Sequence, residues 1–139
     1  MPEGMRAMLK KTVAGLAGLV LSAAILFAQG PVTSRMPATT MRGVIVEITC
    51  FRQQGAATVA TPEQIACAKK RVAEGGRLGI LTEGDGLFQI TGAFAENKFA
   101  KISPFIGKNV DLSGSEVVIS NNYDYKSFEP SKIVPAKKN

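Results

Sequence analysis

The stretch Arg42-Gly-Val-Ile-Val-Glu-Ile-Thr-Cys50 opens the part of the chain, residues 41–74, around which the rest of the sequence is organised. Its β-branched residues are interspersed with Glu47 and Thr49, which predicts a β-strand that ends at Cys50. Residues 53–60 show no hydrophobic period and are predicted to form a loop. The first structural unit is therefore expected to be a strand that leads through a loop into a helix.

The helix that follows has a clear start signal in Thr61-Pro-Glu-Gln64. Thr61 is suited to cap the helix, Pro62 to its first position, and Gln64 to complete a capping box. The helix is predicted to run to about Glu74 and to stop at the glycines that follow. It carries two sets of side chains at helical spacing, one apolar and one mixed: Ile65, Ala68 and Val72, and Gln64, Cys67 and Arg71.

The next segments alternate between strand and helix patterns. Residues 77–82 and 87–91 are predicted to pair, because Glu83-Gly-Asp-Gly86 between them contains the Asp-Gly pair typical of a hairpin turn. Residues 93–105 predict a short helix that ends at Pro104, with an apolar stripe at Ala95, Phe99 and Ile102.

Two further strands complete the pattern. Residues 107–119 predict a long strand whose apolar phase shifts, so we expect a bulge near Gly114. A last strand is predicted within residues 123–134, where Pro130 restricts it to an edge or to interrupted pairing. This element order is that of an OB-fold. We therefore expect a mainly β protein: a small five-stranded OB-like barrel with a helix inserted after the first strand and a short helix between strands three and four.

The N-terminal part predicts export. Three basic residues precede the apolar run of residues 12–28, which is typical of a secretory signal peptide cut after Ala28. An uncleaved anchor in the cytoplasmic membrane is the alternative, and both place the domain in the periplasm or outside the cell. The predicted organisation is residues 1–28 as signal or anchor, 29–41 as a flexible lead-in, 42–134 as the OB-like domain and 135–139 as a basic tail.

Cys50 and Cys67 are the two cysteines of the chain. In an exported protein such a pair is expected to form a disulfide. Closing a loop of this size restrains the unfolded chain by roughly 3 kcal/mol. A redox-active pair is disfavoured, because catalytic cysteines are typically two residues apart at a helix start. A metal site would need more ligands than the sequence supplies nearby, so no metal is expected.

Four short patterns occur one after another along the chain. They are Gly43 followed by Cys50-Phe51, Cys67-Ala68 on the helix, Gly-x-Leu-Gly-Ile-Leu over residues 76–81, and Gly-Lys-x-Val-x-Leu-x-Gly over residues 107–114. With them, residues 42–134 resemble a group of small, largely uncharacterised exported bacterial proteins with OB-like domains. In that group the helix often reads His-x-x-Cys-Ala-x-x-Cys. Gln64 and Arg71 stand at the His and second Cys positions here, so the resemblance implies no metal site in this chain.

The composition argues against a hydrolase or transferase. The chain has no histidine and a net charge of +6. No nucleophile–base pair can be assembled without histidine, and no lysine-based substitute stands out. Glu47, Glu83 and Asp85 lack the spacing of a calcium loop and are interpreted as structural.

The predicted function is therefore binding, without a cofactor, to an unknown ligand or protein partner in the envelope. Nucleic acid is not the expected partner outside the cell. OB barrels often bind by stacking on aromatic residues with basic neighbours. The predicted binding surface lies near the inserted helix and the last turn and comprises Gln64, Arg71, Tyr123, Tyr125 and Lys126. Two alternatives remain open: a redox or metal-handling accessory protein that uses Cys50 and Cys67, and a subunit of an extracellular assembly that pairs through a C-terminal edge strand.

Overall fold

A computed structural model describes residues 33–119 and 126–138 of the chain. Its strands are β1 (Thr33–Arg35), β2 (Thr39–Glu47), β3 (Leu78–Thr82), β4 (Gly86–Ile90), β5 (Asn109–Ile119) and β6 (Lys126–Pro135). Its α-helical segments are α1 (Ile48–Gln54), α2 (Pro62–Ala73) and α3 (Glu96–Phe99), and three short 3₁₀ turns span Ala56–Thr58, Gly92–Ala95 and Ser103–Phe105.

Five of the six strands close into a barrel. β2 pairs antiparallel with β3, β3 with β4, β5 with β6, and β5 with β2, while β4 and β6 pair in parallel. Numbered within the barrel, the strands follow the cyclic order 1-2-3-5-4, which is the OB topology. The predicted fold class is therefore confirmed, with α1 and α2 inserted after the first barrel strand and the short α3 between the third and fourth.

β1 extends this barrel at a place predicted to be a flexible lead-in. Thr33 pairs with Ile119, and farther along β5 the residues from Gly114 to Asn109 pair with β2. β1 and β2 therefore follow each other along one edge of β5, and residues 33–35 and 39–41 form strand. The described part of the lead-in is ordered by these backbone pairs. The predicted signal or anchor, residues 1–28, lies outside the described residues.

The first barrel strand ends earlier than predicted. β2 stops at Glu47, and Cys50 lies in the first turn of α1 instead of at a strand end. The Glu47 side chain accepts a hydrogen bond from the backbone N–H of Cys50 at 2.8 Å and so caps the helix. α1 continues to Gln54, into the segment predicted as a loop, because the cap stabilises helix against the β preference of Ile48 and Thr49.

α2 begins as predicted, with Thr61 as its cap and Pro62 in its first turn. Thr61 Oγ1 accepts the backbone N–H of Gln64 at 3.4 Å. The reciprocal half of the capping box does not form, because the Gln64 amide oxygen instead accepts a hydrogen bond from Thr58 Oγ1 at 2.7 Å. Gln64 therefore ties α2 to the preceding 3₁₀ turn.

The hairpin of β3 and β4 is confirmed, with Thr82 paired to Gly86 across the turn. The segment after it differs from the predicted short helix. It consists of 3₁₀ turns and α3, where Asn97, Lys98 and Phe99 adopt left-handed backbone angles with φ of 51°, 54° and 57°. The predicted apolar stripe nevertheless reaches the core, because the successive turns bury Phe99 and Ile102.

The bulge near Gly114 is confirmed. The register of β5 against β6 shifts between Ser113 and Gly114, and Gly114 faces Pro130 there. The interrupted pairing predicted for Pro130 occurs at the same place, since proline has no N–H to donate. The segment predicted as a basic tail starts inside β6 and continues alongside β5, where the Ala136 N–H donates to the carbonyl of Asn109 at 3.0 Å.

The core is a cluster of buried apolar side chains from the barrel, α2 and the α3 segment: Ile45, Ala68, Val72, Leu78, Ile80, Phe88, Ile90, Phe99, Ile102, Ile106, Val110, Leu112 and Phe128. α2 covers the barrel with its predicted apolar face, because Ala68 and Val72 belong to this cluster and Ile65 packs against it. Within residues 33–119 and 126–138, none of the helices has the length and apolarity needed to span a bilayer.

Candidate functional site

A disulfide joins the two inserted helices. Cys50 on α1 and Cys67 on α2 have Sγ atoms 2.07 Å apart and Cα atoms 6.2 Å apart, which confirms the predicted bridge. Cys50 is completely buried. Because both thiols are consumed in the bridge, neither sulfur is available as a thiolate nucleophile in this state. In the described part of the chain, no three Cys, Asp or Glu side chains come together as a metal site.

Glu47 lies directly beside this bridge and is buried, with 1% of its surface exposed. One carboxylate oxygen accepts the Cys50 N–H, and the Arg71 Nε lies 3.8 Å from the same oxygen. A buried carboxylate is costly unless it is paired and hydrogen-bonded. The inserted helices supply both forms of compensation, since Cys50 belongs to α1 and Arg71 to α2.

A cavity of about 400 Å³ opens where β2, α2 and β4 meet. We call it the Glu47 cavity, and its walls are residues 47–49, Arg71, residues 74–77 and Gln89. Pockets for small ligands typically occupy about 300–1,000 Å³. The volume is therefore in the range of a small-molecule site.

Gln89 gives this cavity an unpaired polar group. Phe88 and Ile90 on either side of it are core residues, so the alternation of β4 directs Gln89 to the opposite face. The amide Oε1 is buried and has no hydrogen-bond partner among the described residues. Leaving a buried acceptor unpaired costs about 1–3 kcal/mol. A ligand that donates a hydrogen bond to Oε1 would remove this cost.

The charges around the cavity are balanced. Arg71 and Arg77 contribute two cations, and Glu47 and Glu74 contribute two carboxylates. The cavity therefore offers acceptors at Glu47 and Gln89 together with guanidinium donors at Arg71 and Arg77. This combination suits a polar ligand that carries both donors and acceptors, such as hydroxyl, amine or carboxylate groups.

Two of the predicted binding residues, Gln64 and Arg71, lie on α2 but have different surroundings. Arg71 lines the Glu47 cavity. Gln64 has 2% of its surface exposed and bonds to Thr58, so it contributes no open binding surface. The Nε2 atom of Gln64 has no hydrogen-bond partner within the described residues.

The other three predicted residues come after β5 in the sequence, and Lys126 is the first residue of β6. Tyr123 and Tyr125 lie outside the described residues. Lys126 is exposed; its Nζ donates to the backbone oxygen of Asp85 at 3.4 Å and lies 5.2 Å from the centre of the Phe88 ring. Lys126 is not among the residues that line the Glu47 cavity.

Arg77 and Gln89 are site residues that the sequence did not single out, and Glu47 was interpreted from the sequence as structural. Glu47 is the acidic residue within a β-branched run, and Gln89 is the polar residue between Phe88 and Ile90. Each position is an ordinary one for the exposed face of a strand. These residues line one cavity because the inserted helices cover the end of the sheet, and that packing is visible only in the structure.

Comparison of the chain with protein families, with curated proteins and with solved structures found no match.

Proposed function

We propose that this chain is an exported, non-enzymatic OB-like domain that binds a small polar ligand in the Glu47 cavity. The observation that carries the proposal is the buried, unpaired Oε1 of Gln89 at the wall of that cavity. Proteins rarely leave a buried acceptor without a partner, and such groups call for a specific explanation. A bound ligand with a hydroxyl or amine group supplies one.

The position of the cavity supports the proposal. OB-folds bind ligands on the face of their second and third strands, beside the loop that joins the first two strands. Gln89 lies on the third barrel strand, and the joining segment here is the disulfide-bonded insertion of α1 and α2. The bridge between Cys50 and Cys67 holds the walls contributed by residues 47–49 and by α2 at a fixed separation.

Nuclear magnetic resonance titration of the purified chain tests the binding site, with monosaccharides and amino acids as the probes. We expect a bound probe to shift the amide signals of residues 47–49 and 74–77. Gln89→Leu is expected to abolish these shifts. Gln53→Leu is the matched control, because Gln53 is exposed on α1. Binding that is unchanged in Gln89→Leu, or shifts confined to other residues, would overturn the proposed site.

Export is supported by the basic and apolar pattern of residues 1–28 and by the oxidised cysteine pair, since disulfides persist in oxidising compartments. Fractionation of a bacterium that expresses the full chain, followed by thiol counting, tests this part. We expect the protein outside the cytoplasm with both sulfurs blocked to alkylation. Two free, reactive thiols in the exported protein would instead favour the redox or metal-handling alternative.

The assembly alternative has less support. From Glu129 to Pro135, β6 pairs with β5 alone among the described strands, so one edge of it is open. Pro130 and Pro135 lack a donor there, and Lys132 is exposed and charged. Prolines and lysines on an edge oppose the addition of another strand. A monomer in sedimentation experiments is therefore expected.

A further inference from the structure

A second concave site lies at the junction of β2, the start of β5 and the segment after β6. Its volume is about 560 Å³, and it is lined by Arg42, Phe105, Lys108, Asn109 and residues 135–138. We call it the basic groove. Its lining residues are all different from those of the Glu47 cavity.

Backbone hydrogen bonds hold the walls of this groove in place. The N–H of Gly107 donates to the carbonyl of Ile45 at 2.8 Å, and the N–H of Ile45 donates to Lys108 at 3.2 Å. On the opposite wall, the Ala136 N–H donates to Asn109 at 3.0 Å. The loop before β5 and the segment after β6 are therefore both attached to the barrel, and the groove is a built feature of the fold.

The groove combines positive charge with an apolar floor. Lys108, Lys137 and Lys138 have no carboxylate within ion-pair distance among the described residues. Arg42 already binds Asp111, with its Nε and Nη2 donating at 2.7 and 3.0 Å. Its apolar floor consists of Phe105, which packs against the core, together with Pro135 and Ala136.

We propose that the basic groove binds an anionic amphiphile of the fatty-acid type, with its carboxylate among the lysines and its chain against Phe105 and Pro135. An anion meets unpaired ammonium groups there, and an apolar chain removes apolar surface from water. Neither feature alone would select this ligand class. A bare anion leaves the floor exposed, and an uncharged chain leaves the lysines unpaired.

Calorimetric titration of the full chain with decanoate tests the inference. Decanamide has the same chain without the charge, and acetate has the charge without the chain. We expect decanoate to bind at least tenfold more tightly than either. Nuclear magnetic resonance should place the response at Lys108, Asn109 and Ala136. Equal binding of decanamide or of acetate, tighter binding of an acidic peptide, or no binding of decanoate would overturn the proposal.

Charge variants locate the site. Lys108→Ala is expected to weaken decanoate binding about tenfold, because the variant loses a charge-assisted hydrogen bond to the carboxylate. Lys132→Ala is the matched control, an exposed lysine of β6 outside the groove. The double variant Lys137→Ala/Lys138→Ala removes charge from a segment beyond the last strand, where unfolding is not expected. Unchanged affinity in this double variant and in Lys108→Ala would contradict the assignment.

Gln89→Leu separates this inference from the proposed function. Because the two sites share no lining residue, decanoate binding should be unchanged in that variant.

Discussion

The carboxylate of Glu47 accepts the backbone N–H of Cys50 at 2.8 Å. This hydrogen bond caps α1 where the first barrel strand ends, and Cys50 in the first turn of α1 forms the disulfide with Cys67. Arg71, one turn further along α2, lies 3.8 Å from the same carboxylate oxygen. Helix cap, disulfide and cavity wall are therefore parts of one local arrangement.

Glu47→Ala should lower the free energy of unfolding by about 1 kcal/mol, the usual cost of losing a helix cap. Glu47→Gln should cost less, because its amide oxygen can still accept the Cys50 N–H. Urea denaturation measures both variants. Equal losses in the two variants would show that the charge of Glu47 matters and that the cap does not.

Removal of the bridge in Cys50→Ala/Cys67→Ala should lower the free energy of unfolding by about 3 kcal/mol, since the unfolded chain gains freedom. Treating the wild-type protein with a reductant should have a similar effect in urea denaturation. The double variant is its own control, because the reductant should leave that protein unchanged. A similar reductant effect on both proteins would contradict the role assigned to the bridge.

Gln89→Leu should stabilise the ligand-free protein by about 1 kcal/mol while removing ligand binding, because it deletes a buried acceptor that lacks a partner. Stability and function then move in opposite directions, as is common at binding sites. Urea denaturation of Gln89→Leu and of the exposed-site control Gln53→Leu measures the difference. A clear loss of stability in Gln89→Leu would mean that its Oε1 is already satisfied in solution.

The Arg42–Asp111 pair predicts a specific acid response. Hydrogen bonds from the Arg42 guanidinium lower the pKa of the Asp111 carboxyl below its ordinary value of 3.8. The stabilisation is therefore complete above that ordinary pKa and is lost as the pH falls through the lowered folded-state pKa. The difference in stability between wild type and Asp111→Asn should be constant near neutral pH and shrink below about pH 4. Added salt should reduce it, because both groups are in contact with solvent.

An outcome in which acid widens the difference between wild type and Asp111→Asn would contradict this sign. Lys132→Ala should show no such pH dependence relative to wild type, because Lys132 has no ion-pair partner among the described residues.

Gly114→Ala should lower the free energy of unfolding by about 1–3 kcal/mol, the range for overpacking a close contact. A Cβ atom at Gly114 would collide with the Glu129 carbonyl oxygen and lie 2.7 Å from the Pro130 Cα. These are backbone atoms of β6 that cannot rotate away. Lys132→Ala, the control on the exposed side of β6, should change stability by less than about 0.5 kcal/mol. A neutral Gly114→Ala would show that the bulge adjusts freely.

The parts of the fold that the sequence predicted depend on local signals. Thr61-Pro62 fixes where α2 starts, and Asp85-Gly86 fixes the hairpin that joins β3 and β4. The phase shift around Gly114 marks the bulge because alternation reports directly which face of a strand is buried. Once these elements are placed in order, their sequence of strands and helices matches that of an OB-fold and predicts the barrel topology.

The differences arise where a helix cap or core packing overrides the preference of the residue types. Ile48 and Thr49 favour strand by residue type, yet the buried Glu47 cap places them in a helix. Around Phe99, a helical spacing of apolar residues is satisfied by turns with left-handed backbone angles. A hydrophobic period reports which side chains are buried and leaves open the backbone path that buries them.

The Glu47 cavity was beyond sequence reasoning for a related reason. Glu47 and Gln89 belong to strands separated by the whole inserted segment and by β3. Arg71 was singled out because it shares a helix face with Cys67, which is a local relationship. The partners that make it part of a cavity are non-local.

The barrel closes through the parallel pairing of β4 with β6, in which Phe88 meets Lys126. The sulfur pair, by contrast, spans a sequence separation of only 17 residues and lies entirely upstream of that closure. Under the proposed export, a chain delivered N-terminus first would expose both thiols to oxidants before its last strand has crossed the membrane. Pulse-labelling during translocation should find that the covalent link between the two sulfurs forms before the protein becomes resistant to protease. Oxidation would then precede and guide the final assembly of the cylinder of strands.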